Sequence, residues 1–142
     1  MLHHRGLQRA GACEDVPVGY RVFPAGEQEF TPPSGGDQSR GIFRLSDGMS
    51  QMRANIWRYP PGTLGRRHAE HVQEEVFVVL EGTITLLLGD PAEPVELPSG
   101  SVAVVEPGTA LQISNAGAED AAVFIVGAPP EQAGADYLPD AV

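Results

Sequence analysis

The sequence predicts an all-β, single-domain barrel, and three observations carry that prediction. Short apolar runs such as Val76–Leu80 and Ile84–Leu88 recur at close spacing, each the length of a strand. Glycine and proline, at 17 and 13 copies, are scattered between these runs, as tight turns between strands require. The chain has 142 residues, enough for one core and too few for two. Closing such a sheet removes its exposed edges, and a closure of about eight strands encloses one small ligand.

Taken in order, residues 1–40 read as an irregular N-terminal arm with one or two strands, of which Val18–Phe23 is the best candidate. Thr31-Pro32-Pro33-Ser34-Gly35-Gly36 is a loop, Ile42–Leu45 a strand and Ser46-Asp47-Gly48 a turn. Met52–Tyr59 alternates, with Met52, Ala54 and Ile56 on one face and Asn55, Trp57 and Tyr59 on the other. Pro60-Pro61-Gly62 stops it. Glu75–Leu80 reads as a buried strand, Glu81-Gly82 as a two-residue hairpin turn and Thr83–Leu88 as the returning strand. Val95–Leu97, Ser101–Val105, Leu111–Ser114 and Ala121–Val126 complete the series, with turns at Pro98–Gly100, Pro107-Gly108 and Asn115–Gly117. The barrel therefore spans 41–127, followed by an acidic, proline-containing tail over 128–142 with a short turn near Asp136–Leu138.

The formal charge of −10 and a pI near 4.6 set such a surface against phosphate backbones and anionic headgroups. Nucleic acid and membrane surfaces are excluded as expected partners. No apolar run approaches the ~20 residues of a spanning helix. Met1–Gly6 lacks the apolar stretch of a signal peptide, so a cytoplasmic address is expected. His3 and His4, beside the terminus, read as solvated. Cys13 is the only cysteine, which rules out an internal disulfide or thiolate cluster. Its neighbours Glu14 and Asp15 disfavour a thiolate, so it is not the expected nucleophile.

The stretch that carries chemistry is Pro61–Gly82, PGTLGRRHAEHVQEEVFVVLEG. It places His68, Glu70, His71, Glu74 and Glu75 just ahead of a strongly apolar strand. Imidazole and carboxylate together are donors for a borderline or hard divalent ion. Two residues apart on an extended chain, His68 and Glu70 share a face, and His71 points the other way. There is no phosphate loop, serine-triad signature or zinc-finger spacing.

In this stretch Gly62, five residues and His68, then Glu75, six residues and Gly82, resemble the first motif of the cupin superfamily, as does the VLEG at 79–82. The second motif resembles Gly100-Ser-Val-Ala-Val-Val-Glu-Pro107-Gly108, followed by Asn115. The resemblance covers residues 61–115 and implies a double-stranded β-helix, or jelly-roll barrel, that is often dimeric. Metal-binding members supply three histidines and a glutamate. Here the first histidine is His68 and the glutamate is Glu75, but the second histidine's position is Glu70 and the last is Leu111. Glu106 also stands where the second motif has proline.

Two readings of this depleted ligand set stay open. In one, His68, Glu70 and Glu75 hold a divalent metal (Fe, Mn, Ni or Zn), with the Leu111 side left to water or substrate. His71 replaces Glu70 if the strand carries a bulge. In the other, metal binding is weak or absent, as a lost ligand favours. His68, Glu70, Glu75, Leu111 and Trp57 then contact an organic ligand directly. Without a metal, either Glu70 or Glu75 holds a proton and becomes the candidate for acid–base catalysis. The expected function is a small-molecule-binding cupin domain, and the alternative is a metal-dependent dioxygenase or isomerase. A barrel filled by its own side chains and acting by association is the third class. Among neighbours, Arg66 and Arg67 read as a solvated loop or as a guide for an anionic substrate; on a purely structural reading His68 and Glu75 pair with each other or with Arg66, Arg67 and Arg53. Glu74 reads as solvent-facing and Asn115 as a turn residue. The arm either covers the barrel or adds a strand to a partner's sheet, giving a homodimer.

Overall fold

Period-two alternation decides the architecture, because each strand buries one row of side chains and pairs through the other edge groups of its backbone. The computed structural model describes residues 19–130 and 134–141. Among them run ten strands: β1 (Gly41–Arg44), β2 (Arg53–Tyr59), β3 (His68–Glu70), β4 (Glu74–Glu81), β5 (Thr83–Leu88), β6 (Glu93–Pro98), β7 (Val102–Val105), β8 (Leu111–Ser114), β9 (Ala121–Ala128) and β10 (Ala135–Tyr137). They form two five-stranded antiparallel sheets, one ordered β1-β2-β9-β4-β7 and the other β10-β3-β8-β5-β6. This is the expected all-β jelly-roll barrel. No helix among the described residues is long and apolar enough to cross a membrane.

The core fills one part of the space between the sheets. Phe77, Val79, Val105 and Val123 from the first sheet meet Ile84, Leu86, Leu111 and Ile113 from the second. On β2 the alternation resolves in an informative way. Asn55, Trp57 and Tyr59 face the interior with Arg53, whereas Ala54 belongs to an outer surface lined by Phe23, Leu45 and Met49 from the arm and the turn after β1. The strand's more apolar face is thus the outer one.

Four expectations need correction. Glu81-Gly82 is not a hairpin turn: β4 and β5 lie in different sheets, and the chain crosses between them here. Gly82 has φ +68°, and a Cβ on it would lie 2.5 Å from the Asp120 carbonyl oxygen. A glycine between two strands signals a sharp bend, but its sequence does not say whether the strands go on to pair. Val18 lies outside the described residues, and Tyr20–Phe23 is not a strand. The arm instead contributes a 3-10 turn at Ala25–Glu27, an isolated bridge from Thr31 to Ile42, and Phe23 packed edge-on against Phe43 at 5.2 Å. The tail does not turn at Asp136 but forms β10, paired with β3. Finally, Arg67 is no solvated loop residue. Its guanidinium ion-pairs with Asp90 at 3.4 Å and bonds the Gly89 carbonyl at 3.1 Å.

Candidate functional site

Two strands from opposite sheets bring the predicted chemical residues together. On β3, His68 and Glu70 point inward as their spacing requires, and Ala69 points away. On β4, Glu75 shares the inner face with Phe77 and Val79. The ligand atoms of His68, Glu70 and Glu75 lie within 4.8 Å of one another. His68 Nε2 is 3.5 Å from Glu70 Oε1 and 3.8 Å from Glu75 Oε1.

The imidazole is oriented from behind. His68 Nδ1 lies 3.0 Å from the Arg66 carbonyl oxygen, an acceptor only, so Nδ1 carries the proton and donates. Nε2 is left facing the two carboxylates, as in metal-binding histidines anchored through their other nitrogen. Burial alone would lower the His68 pKa. The facing carboxylates of Glu70 and Glu75, together with the Arg66 carbonyl, outweigh it and lift the value to about 10.

Both glutamates are buried, each 7% exposed. Glu70 Oε2 and Glu75 Oε1 have no hydrogen-bond partner. Leaving buried carboxylate oxygens unsatisfied is costly, and a cation is the usual remedy. One imidazole nitrogen with two carboxylate oxygens is a sound donor set for a divalent ion. The residues present therefore fit a metal.

The other expected residues fall where the barrel geometry puts them. Leu111 is the cross-strand partner of His68 and is buried in the cavity wall, an apolar side chain beside the imidazole. Trp57 lines the same cavity, 6.1 Å from the Tyr59 ring. His71 does not join the cluster. It lies outside, with Nε2 2.8 Å from Asp136 Oδ1, because β3 runs to Glu70 with no bulge and His71 follows it in a bend. Glu74 is exposed. Asn115 holds its turn: Nδ2 donates to the Tyr59 and Glu119 carbonyls at 2.7 and 2.8 Å. Cys13, His3 and His4 lie outside the described residues.

The cavity measures about 190 Å³. Several of its lining residues were not singled out from sequence, among them Arg40, Arg44, Gln73 and Tyr137. For Arg44 a signal did exist, since strand parity puts it on the same face as Ile42. Arg40 comes from the arm and Tyr137 from the tail, and no local pattern points either one inward. Arg40 is 4% exposed and donates to the carbonyls of Asp37 and Gly35 and to the Tyr59 hydroxyl. Burial raises the Tyr59 pKa, although the Arg40 charge opposes it, so this hydroxyl stays protonated.

The comparisons with known proteins agree with this architecture. The family model for the cupin domain matches residues 55–127, just over half of the chain. A sugar phosphate isomerase of the cupin superfamily from Silicibacter pomeroyi is 25% identical, with 73% of each chain covered and a TM-score of 0.64. A conserved protein with a double-stranded β-helix domain from Klebsiella pneumoniae is 23% identical over 85% of this chain and 99% of its own, at a TM-score of 0.68. The polyketide cyclase RemF from Streptomyces resistomycificus superposes at a TM-score of 0.72, with 19% identity and 84% of each chain covered. Comparison with curated protein sequences gives no match. The two motifs, the paired sheets and the family match together show that this chain belongs to the cupin family.

Proposed function

We propose that this cupin barrel binds a small molecule beside a divalent cation held by His68, Glu70 and Glu75. The observation that carries the proposal is that each buried glutamate keeps one unpartnered oxygen, Glu70 Oε2 and Glu75 Oε1, while ligand atoms of His68, Glu70 and Glu75 lie within 4.8 Å of one another. A divalent ion there supplies positive charge that polarises a substrate oxygen. Leu111, where the family's last histidine falls, leaves only three protein donors. The expected binding is therefore weak enough for a chelator to reverse. Leu111 and Ile113 wall the cavity against water, and Trp57 offers a ring face to the ligand. The relatives named sugar phosphate isomerase and polyketide cyclase support chemistry on a small molecule but do not choose a reaction, since one scaffold hosts many. A homodimer and a cytoplasmic address belong to the same proposal. The lone cysteine suits a reducing compartment.

The test is titration of dialysed protein with Mn(II), Fe(II), Ni(II) and Zn(II), followed by melting temperature. At least one ion is expected to stabilise the protein, by about 2.7 kcal/mol at a hundredfold excess over Kd. His68→Ala and Glu75→Gln are expected to abolish that gain. Equal stabilisation of these variants, or none with any ion, would sink the metal assignment and leave the His68 imidazolium as the cation facing the two glutamates.

A further inference from the structure

All nine basic residues of this chain are arginines, and four of them, Arg40, Arg44, Arg53 and Arg66, line the one cavity that holds the His/Glu/Glu cluster. The chain also carries 19 Asp and Glu residues, yet only Glu70 and Glu75 line that cavity. A protein of formal charge −10 thus lines its cavity with four arginines against two glutamates, and both carboxylates face His68. From this distribution we propose that the ligand is a small organic anion bearing a carboxylate or phosphate group. Its charge is taken up by the pocket arginines, and its remainder lies toward the cluster. The inference rests on the reading that this cavity is the ligand site.

Of the three described arginines outside the cavity, Arg21 lies over the Phe23 ring at 5.7 Å and the other two are paired with carboxylates. Arg58 pairs with Glu81 at 3.6 Å and Arg67 with Asp90 at 3.4 Å. By contrast, among the described residues no carboxylate lies within ion-pairing distance of Arg40, Arg44 or Arg66. Arg40 is buried against neutral oxygens and the Trp57 ring, 5.0 Å from its guanidinium carbon. The Asp37 carboxylate acts on Arg40 only from beyond ion-pairing distance, so an anionic ligand in the cavity offsets part of the cost of burying this charge.

The architecture holds these groups in place. Arg66 lies over the Tyr137 ring at 3.6 Å, and Tyr137 is the register partner of His68, so this guanidinium stands beside the cluster. Arg53 pairs in register with Gly127, which in turn pairs with Glu75, so Arg53 and Glu75 share one cross-strand row, with the Gln73 side chain lying over Gly127 between them. Arg44 sits on the next inward row, opposite Asn55. The loop around Gly36 (φ +74°) closes over both Arg40 and Arg66. A Cβ on Gly36 would come within 2.7 Å of Arg40 Nη2 and of Arg66 Cγ. Planar, fixed guanidinium groups are the donors suited to bidentate capture of carboxylate or phosphate, which lysine does not match.

Trp57 is the only tryptophan and lines the cavity, so its fluorescence reports occupancy. Chelator-treated, dialysed full-length protein is titrated at constant ionic strength with inorganic phosphate, with malonate and with neutral malonamide. Fluorescence and melting temperature are both followed. At least one anion is expected to give a saturable change while malonamide gives none. Arg66→Gln and Arg53→Gln, both at exposed positions, are expected to weaken it about tenfold or more, as loss of a charge-assisted bond implies. Arg58→Gln leaves it unchanged, and Arg66→Lys recovers only part. The inference is overturned if neither anion gives a saturable response, if malonamide matches malonate, or if Arg58→Gln weakens binding as much as the pocket variants. A saturable anion response without metal sustains it even where the metal assignment fails. Metal stabilisation with no anion response overturns this inference alone.

Discussion

His68 condenses the chemistry of the site into one side chain. Its pKa is lifted to about 10, against an ordinary value of 6.5, by the carboxylates it faces, despite the opposing effect of burial. In the metal-free protein the imidazolium therefore contributes stability that is fully present below pH 6.5 and lost as the pH rises toward 10. Chemical denaturation of chelator-treated protein is expected to show that decline, and His68→Ala is expected to remove it. Metal must displace the same proton, so metal affinity is expected to rise across the same window. Stability that stays level between those limits in the unsubstituted protein would contradict the assignment. The sequence made these residues legible because two facts are local: the spacing of His68 and Glu70 on an extended strand, and the cost of placing acids before an apolar run. It did not reveal Arg40, whose position depends on the arm folding back across the mouth of the barrel.

At the scale of elements, the tail is a strap rather than a loose end. β10 extends the sheet beside β3. Gln112, fully buried, donates to the Gly65 carbonyl at 2.8 Å and to Asp140 Oδ1 at 3.0 Å, and accepts from the Ala141 amide at 2.9 Å. Arg67 adds a bond to the Pro139 carbonyl at 3.3 Å. Replacing Gln112 by alanine strands these partners and is expected to destabilise the fold by about 1–3 kcal/mol, read as a lower denaturation midpoint. It is also expected to expose the tail to limited proteolysis. A midpoint unchanged within error would mean that the strap contributes nothing. The tail's composition gives no hint of this role, because three residues of strand formed against a distant neighbour leave no periodic signature. The sheet crossing at Gly82 escaped for a related reason: turn residues encode a bend, and pairing beyond the bend is decided elsewhere.

For the whole molecule, the outer face of the first sheet is the feature its fold leaves unfinished. Val102 and Val104 on edge strand β7 are 60% and 63% exposed, and Leu80 on the adjoining β4 is 44% exposed. This face is free of acid side chains between Val76 and Leu80 on its outward row, although the chain carries −10. Two copies can therefore meet there without the repulsion the rest of the surface imposes. An isologous dimer across this edge is the expected state, measured by light scattering after size exclusion. Val104→Lys is expected to shift it to monomer without lowering anion binding. A monomeric unsubstituted protein at high micromolar concentration would remove the dimer from the picture.

The sequence by itself determined the all-β class, most strand positions, and the three residues that converge in the cavity, because alternation and residue chemistry act over a few positions. Only the tertiary structure decided which strands pair, that the chain changes sheets at Gly82, and that arginines from the arm, β1, β2 and the loop before β3 gather round one cavity. Those outcomes rest on contacts between residues far apart in the chain, whose free energy depends on the whole packed arrangement and is written in no single segment.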